Sequence, residues 1–363
     1  MRKIRNNFYL ISCFFLLPVI SCAFILYKLH KVTPYQFPSI HYFPKMPVSE
    51  SNSVTNEGVE LGKFLFYDPI LSKDSTVSCS SCHQQKNAFS DSPNTYSKGI
   101  NGFIQKRNTL PLFNLAWYPK LFWDGRVNSI EEQVLHPVRD ANEMNLKWID
   151  ATEKINRSRF YRLKFYKAFG TSTIDSNLIT NAIAQFERTL ISHHAKYDNV
   201  INGKAKFTMN EIEGLELLND MTKGNCLHCH TTDANGLGTT GMYSNNGLDK
   251  VYTESDFKDI GLGKITHQKN DNGKFKIPSL RNLLFTAPYM HDGRFKTLEE
   301  VLDFYSEGLQ SSPTIDSKME FIHKGGSKLT IYEKQKIIAF MKTLSDSIFI
   351  SEKKYSNPFK IKN

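Results

Sequence analysis

The sequence predicts a mostly α-helical protein of two domains with long loops, preceded by an apolar N-terminal leader or anchor. Apolar residues recur at helical spacing through much of the chain, as at Leu178, Ile183 and Phe186, and strand signals are few. One cysteine- and histidine-containing pentapeptide pattern occurs twice, at residues 79–83 and 226–230. The chain has 363 residues, which is enough for two separate hydrophobic cores.

The N-terminus combines basic residues with an uncharged run over residues 8–27. About 20 apolar residues span a bilayer, and positive charge before them stays in the cytoplasm. Three interpretations stay open: an uncleaved anchor, a lipoprotein signal with a lipid on Cys22, and a cleaved signal peptide. All three export the body of the chain. We therefore expect residues 1–31 to be a signal or anchor segment and the body to be periplasmic, tethered by that segment or by the lipid.

The remaining chain is divided by its composition and its two pentapeptides. Proline- and serine-rich sequence over residues 32–57 predicts a linker. We expect an N-terminal domain over residues 58–203, a C-terminal domain over residues 204–350 and a tail over residues 351–363. Each domain contains one pentapeptide.

Helices are predicted from apolar periodicity and from their start and stop signals. Ser129 is an N-cap candidate followed by two acidic residues, and Pro137 is expected to end that helix. The predicted helices cover residues 59–66, 129–136, 146–155, 160–169, 176–191, 210–218, 297–305 and 330–344.

The two pentapeptides, C-S-S-C-H and C-L-H-C-H, have the Cys-x-x-Cys-His pattern at which c-type haem is attached. The two thiols add to the haem vinyl groups, and the adjoining histidine becomes the proximal iron ligand. Redox or zinc Cys-x-x-Cys motifs are the alternative. The sequence therefore predicts two covalently bound haem c groups in two cytochrome-c-like haem domains. The predicted haem-binding residues are Cys79, Cys82, His83, Cys226, Cys229 and His230.

The formal charge is +10 and the pI is near 9.1, but the lysines are spread along the chain. A basic surface of this kind suits contact with acidic electron-carrier proteins. There is no motif for nucleic-acid binding, so we expect no nucleic-acid partner.

Three further motifs accompany the pentapeptides: R-N-T at 107–109, F-W-D-G-R at 122–126 and T-A-P-Y-M-H-D-G at 286–293. With them, the chain over residues 58–345 resembles the bacterial di-haem cytochrome c peroxidases. This superfamily includes the MauG type, which oxidises tryptophans in a partner protein. The resemblance implies a peroxidatic haem near the N-terminus and a C-terminal haem that takes in electrons.

The resemblance also implies roles for residues outside the haem motifs. Trp123 matches the tryptophan between the haems, and Gln133 and Glu143 match the distal glutamine and glutamate. A distal acid–base group and a hydrogen-bonding amide suit peroxide cleavage. The resemblance also implies a calcium ion between the two haems, and oxygen ligands suit it. Its expected ligands are Asn108, Thr286 and Pro288.

The iron ligands opposite the two proximal histidines are predicted separately. There is no histidine or methionine from residue 84 to 106, where many family peroxidases have a capping histidine. The first iron is therefore expected to be open at rest, with His136 as the histidine that could swing in. The family position of the second haem's distal ligand falls on Tyr305, as in the MauG type. Met290 and His291 are rival ligands, and a core tyrosine is the structural alternative.

The first functional hypothesis is a peroxidase that reduces hydrogen peroxide to water. Its electrons would come from a small periplasmic cytochrome c or copper protein. The second is a MauG-type oxidase, which Tyr305 favours. Against it, Gly224 stands where the MauG type has a surface tryptophan. The third is a non-catalytic electron-transfer cytochrome. A homodimer is a further expectation from the family.

Overall fold

The computed structural model describes residues 32–47, 49–231, 236–319 and 321–360. The leader predicted over residues 1–31, with Cys22, lies outside these residues. Within them, none of the helices has the length and apolar character needed to cross a membrane. The described chain is mostly helical, as predicted, with one small antiparallel sheet of two strands.

Eleven α-helices and two strands are found in the described residues, joined by loops and 3₁₀ turns. The α-helices are α1 (Asn56–Tyr67), α2 (Cys79–Cys82), α3 (Ile130–Arg139), α4 (Trp148–Arg157), α5 (Arg159–Phe169), α6 (Ser176–Arg188), α7 (Lys196–Ile201), α8 (Met209–Asn219), α9 (Gly263–Thr266), α10 (Leu298–Glu307) and α11 (Ile331–Thr343). The strands are β1 (Tyr243–Ser244) and β2 (Phe275–Lys276).

Helix α3 differs from the prediction at its C-terminal end. Ser129 caps its start by accepting a hydrogen bond from the Glu132 backbone, as the sequence indicates. Pro137 was expected to end the helix, but the helix continues to Arg139. Proline has a helical φ, and only two helical residues follow it, so the lost hydrogen bond and the crowding of its ring against the preceding turn do not prevent a short extension. Asp140 then ends the helix, and its backbone N–H donates to the His136 carbonyl at 3.0 Å.

Each half of the chain is built on one closely packed helix pair, α1 against α6 and α8 against α11. A glycine lies at each crossing. A Cβ atom on Gly62 would collide with the Ala182 carbonyl oxygen, and one on Gly214 would collide with the Lys336 carbonyl oxygen. The absence of a side chain at these positions lets the paired backbones approach.

The segments predicted as linker and tail are packed against the body. Phe43 is buried beside Trp117, whose indole N–H donates to the Pro44 carbonyl at 2.8 Å. Near the other end, Phe349 and Tyr355 are buried in the core of the first half. These segments carry large aromatic side chains, and burial of such side chains offsets the cost of ordering a proline-rich chain.

One structural unit occurs twice, at residues 114–139 and 282–307, and matches residue for residue without a gap. Each copy starts with a left-handed asparagine and a 3₁₀ turn, Leu115–Trp117 or Leu283–Phe285. An antiparallel bridge around Asp-Gly-Arg follows, and then a ten-residue helix with a hydroxyl N-cap, α3 or α10. The two halves are thus related by an internal repeat.

Candidate functional site

The first pentapeptide forms the single helical turn α2. The backbone N–H of His83 donates to the Cys79 carbonyl at 2.9 Å, which brings the imidazole beside the two thiols. The His83 Nδ1 lies 2.9 Å from the Phe89 carbonyl oxygen, and burial lowers the pKa of this histidine. A neutral imidazole held through Nδ1 leaves Nε2 free to bind a metal.

The second pentapeptide repeats this arrangement on a 3₁₀ turn over Cys226–His228. The His230 Nδ1 lies 2.9 Å from the Pro278 carbonyl oxygen, and burial lowers the pKa of His230 to about 4. Its Nε2 is therefore also available as an uncharged ligand.

The four thiols favour haem attachment over the two alternatives. All four cysteines are free, so neither Cys-x-x-Cys pair forms a disulfide. Burial raises the pKa of Cys82 to about 11 and that of Cys226 to about 12, whereas redox-active cysteines have a lowered pKa. Within the described residues, no three His, Cys, Asp or Glu side chains are grouped so as to hold a metal ion. The residues present therefore fit haem c.

A cavity that is partly open to solvent adjoins the second pentapeptide. Its lining includes Cys226, Cys229, His230, Met290 and Tyr305, and most of the lining is apolar. Such a cavity is suited to a large, flat, mostly apolar cofactor.

Tyr305 and Met290, two of the proposed ligands, both reach this cavity. The Asn246 side-chain amide donates to the Tyr305 hydroxyl at 2.9 Å and lies 3.7 Å from the Met290 sulfur. Burial raises the pKa of Tyr305 to about 12. Asn246 lies in a loop with no recognisable motif, so its place in this site could not be predicted from the sequence.

The predicted distal glutamate lies near the first pentapeptide. The Glu143 charge raises the pKa of the Cys79 and Cys82 thiols, which indicates that the groups are close. Burial and the nearby Asp140 charge raise the pKa of Glu143 to about 7, against the opposing effect of Arg126. A carboxyl group with a pKa near neutrality suits the exchange of protons.

Gln133 and Pro137 lie on α3, one turn apart. The half-buried Gln133 side chain makes no hydrogen bond to any of the described residues, so its amide is available to a ligand. The Met144 backbone N–H donates to the Pro137 carbonyl at 3.1 Å, which returns the chain after Glu143 to the end of this helix. The predicted distal residues thus come from one helix and the turn after it.

A second buried carboxyl group, Glu187 on α6, also lies near Cys79. It is 3% exposed, its Oε2 has no hydrogen-bond partner, and burial raises its pKa to about 8. Glu187 could not be predicted from the sequence, because a glutamate in an amphipathic helix normally faces solvent.

Trp123 is buried where the two copies of the repeated unit meet. Its indole N–H donates to the Asn108 carbonyl at 2.8 Å, and its ring centre lies 6.5 Å from that of His291. The His291 ring is stacked on Phe275 at 3.6 Å. Trp123 also lines the cavity of the second pentapeptide, so it is in contact with that site.

The expected calcium ligands Asn108, Thr286 and Pro288 all line that same cavity. The Asn108 side-chain nitrogen donates to the Thr95 carbonyl at 3.0 Å, which leaves Oδ1 available to a cation. His136, the histidine expected to swing in, packs its ring against Phe122 with 5.5 Å between the ring centres.

Comparisons with known proteins show which family this chain resembles. A family model for di-haem cytochrome c peroxidases matches residues 56–206. The methylamine utilization protein MauG of Methylophilus methylotrophus is 33% identical over 303 residues, covering 82% of this chain and 85% of MauG. The cytochrome c551 peroxidase of Nitrosomonas europaea is 34% identical over 304 residues, covering 82% and 84%.

A solved structure of a MauG-like protein associated with microbial copper homeostasis is similar over 90% of this chain and 100% of that one. Its TM-score is 0.79 and its sequence identity is 33%. The diheme peroxidase BthA of Burkholderia thailandensis has the same fold, with a TM-score of 0.70 and 21% identity. Fold, haem motifs and relatives together show that this chain belongs to the di-haem cytochrome c peroxidase family that includes MauG.

Proposed function

We propose that the protein is a cytochrome c peroxidase that reduces hydrogen peroxide to water. When bound, the haem at Cys79, Cys82 and His83 supplies the iron that reacts with peroxide, and the second haem supplies the iron that takes in electrons. The peroxidase and MauG relatives support a haem oxidoreductase, and the differences between the two haem sites support this assignment of roles.

In this proposal the side chains near the first haem manage the protons. Glu143 accepts a proton from one peroxide oxygen and returns it to the other. The Gln133 amide holds peroxide by a hydrogen bond, since its side chain has no other partner among the described residues. Trp123 lines the second haem cavity and is fixed by its hydrogen bond to Asn108. It is therefore a suitable residue to pass electrons between the two haem sites.

The observation that carries the proposal is the Glu143 carboxyl group, with a pKa near 7 beside the first haem motif. We expect Glu143→Gln to lower peroxide turnover by about 10²-fold or more, the usual contribution of general acid–base catalysis. Turnover is measured by oxidation of reduced cytochrome c. Glu153→Gln, which removes an exposed carboxylate on α4, is the matched control and should keep full turnover. Equal turnover in both variants would contradict the assignment.

The remaining parts of the proposal concern cofactors, partners and location. We propose that Asn108, Thr286 and Pro288 hold a calcium ion, because all three line one cavity beside Trp123. We further propose that the electron donor is a small periplasmic cytochrome c or copper protein, and that the protein is periplasmic, tethered by its N-terminal segment or a lipid on Cys22. The basic charge of +10 supports an acidic donor.

A MauG-type oxidase is the second candidate, favoured by Tyr305 in the second haem cavity. Against it, Gly224 stands where that type has a surface tryptophan, and a Cβ atom there would lie 2.6 Å from the Leu217 carbonyl oxygen. Peroxide turnover with reduced cytochrome c separates the two, since only the peroxidase should sustain it. A non-catalytic electron-transfer cytochrome would instead show two low-spin haems at rest and no reaction with peroxide.

A further inference from the structure

Helix α5 carries basic residues and no acidic ones. Its basic residues are Arg159, Arg162, Lys164 and Lys167. Arg159, Leu163 and Lys167 follow one another at four-residue spacing, so they form a row on one face of the helix, and Phe160 lies beside this row. Phe160 is 44% exposed and Leu163 is 51% exposed. Positive charge and large apolar side chains therefore share one solvent-facing surface.

The C-terminal segment extends this surface. The Phe64 ring of α1 contacts the rings of both Phe160 and Phe359, with 5.1 Å and 5.2 Å between the ring centres. Phe359 is 50% exposed, and the Lys164 ammonium group lies 4.1 Å from the centre of the Phe64 ring. The same segment carries three exposed lysines, Lys353, Lys354 and Lys360. We call the exposed face of α5 together with residues 353–360 the α5 surface.

The first residues of the described chain lie close to the α5 surface. The Thr33 backbone N–H donates to the Glu57 carboxylate at 2.8 Å, at the start of α1. Glu60, one turn further along α1, forms an ion pair with Lys164 of α5 at 3.0 Å. Two neighbouring side chains of one helix thus connect residue 33 with the α5 surface.

The apolar run over residues 8–27 ends shortly before this point in the sequence. Val32 follows Tyr27 by five residues, which span at most about 18 Å of extended chain. The N-terminal segment proposed above as a membrane anchor would therefore hold the bilayer within that distance of Val32. The surface beside Val32 is then the part of the protein that meets the membrane.

Extending the proposed location, we propose that the α5 surface binds the headgroup region of an anionic bilayer. Its basic side chains contact the anionic headgroups, and Phe160, Leu163 and Phe359 enter the boundary between headgroups and acyl chains. A basic helix face with exposed aromatic and leucine side chains is typical of helices that lie in the plane of a membrane surface. None of the residues of the α5 surface lines the second haem cavity, so the contact does not involve that site.

The test is hydroxyl-radical footprinting of the full-length holoprotein in vesicles of phosphatidylcholine and phosphatidylglycerol. Radiolysis of water supplies the radicals without peroxide, so the result does not depend on the proposed function. We expect Phe160, Leu163 and Phe359 to be oxidised more slowly in the natural protein than in Arg159→Glu/Lys167→Glu. The difference should be about fivefold or more, since one basic residue at an anionic surface already shifts the binding equilibrium by about that factor. Tyr252 and Tyr332, which are exposed elsewhere, should be oxidised equally in both.

Lys264→Glu/Lys269→Glu makes the same change in net charge at two exposed lysines of the second half, and it should keep the protection. Equal oxidation of the three apolar residues in the natural protein and in Arg159→Glu/Lys167→Glu would overturn the inference. Protection that grows with the protein-to-lipid ratio would overturn it as well, because it indicates contact between copies of the chain. Release of the natural protein from washed vesicles refutes the proposed tether and this inference with it, whereas retained protein with unprotected rings refutes this inference alone.

Discussion

Replacing Glu143 by glutamine is expected to stabilise the protein above neutral pH and to have little effect on stability in acid. The carboxyl group has a pKa of about 7 in the folded protein, against an ordinary value of 4.5, mainly because it is buried. Between these values the folded state keeps a proton that the unfolded state has lost. The unfolding free energy of the natural protein therefore falls as pH rises through this range.

The difference between the two pKa values corresponds to about 3 kcal/mol at most. Glutamine does not ionise, so the variant avoids this loss. We expect Glu143→Gln to be more stable than the natural protein by up to about 3 kcal/mol near pH 8, and nearly equal to it near pH 4. Urea unfolding of the holoprotein at both pH values, followed by haem absorbance, measures this difference.

Glu153→Gln serves as the control, because its carboxylate is exposed and should not contribute such a pH dependence. If Glu143→Gln and the natural protein differed by the same amount at both pH values, Glu143 would not be a carboxyl group held protonated by burial. Glu143 would then also lack the near-neutral pKa on which its proposed role in proton transfer depends.

Three further predictions concern a metal, a charge pair and a helix crossing. Removing calcium with EGTA should lower peroxide turnover in the natural protein and be reversed by added Ca²⁺, whereas Asn108→Ala should be low in turnover and unresponsive to Ca²⁺. Asp198→Asn should lower the unfolding free energy by about 3–5 kcal/mol, because it leaves the fully buried Arg281 guanidinium without its charged partner, and urea unfolding measures this. Gly62→Ala should cost about 1–3 kcal/mol in the same assay, because its methyl group collides with the Ala182 carbonyl.

Much of the helical architecture could be predicted because it depends on local patterns. The predicted helices at residues 160–169 and 210–218 agree with α5 and α8 to within one residue at each end. The haem motifs are likewise local, so the four expected attachment cysteines and the two expected histidine ligands could be predicted directly from spacing. The end of α3 was predicted wrongly, because proline disfavours a helix without forbidding two more residues.

The features that could not be predicted depend on contacts between distant parts of the chain. Asn246 gains its importance only from its hydrogen bond to Tyr305, far along the sequence. The burial of Glu187 and the packing of Phe43 depend in the same way on their distant neighbours. The internal repeat was present in the sequence, but few of its aligned residues are identical, and the matching turns and bridges made it recognisable.

The segment around Phe349 and Tyr355 completes the hydrophobic interior beside the first pentapeptide. Phe349 and Tyr355 are the rings that close the interior around Phe89 and Phe113, and Cys79 packs against the same interior. The wall beside Cys79 is therefore completed only when residues 349–355 have packed onto the first half, and a fragment that stopped before residue 346 would leave Phe89 and Phe113 exposed to water.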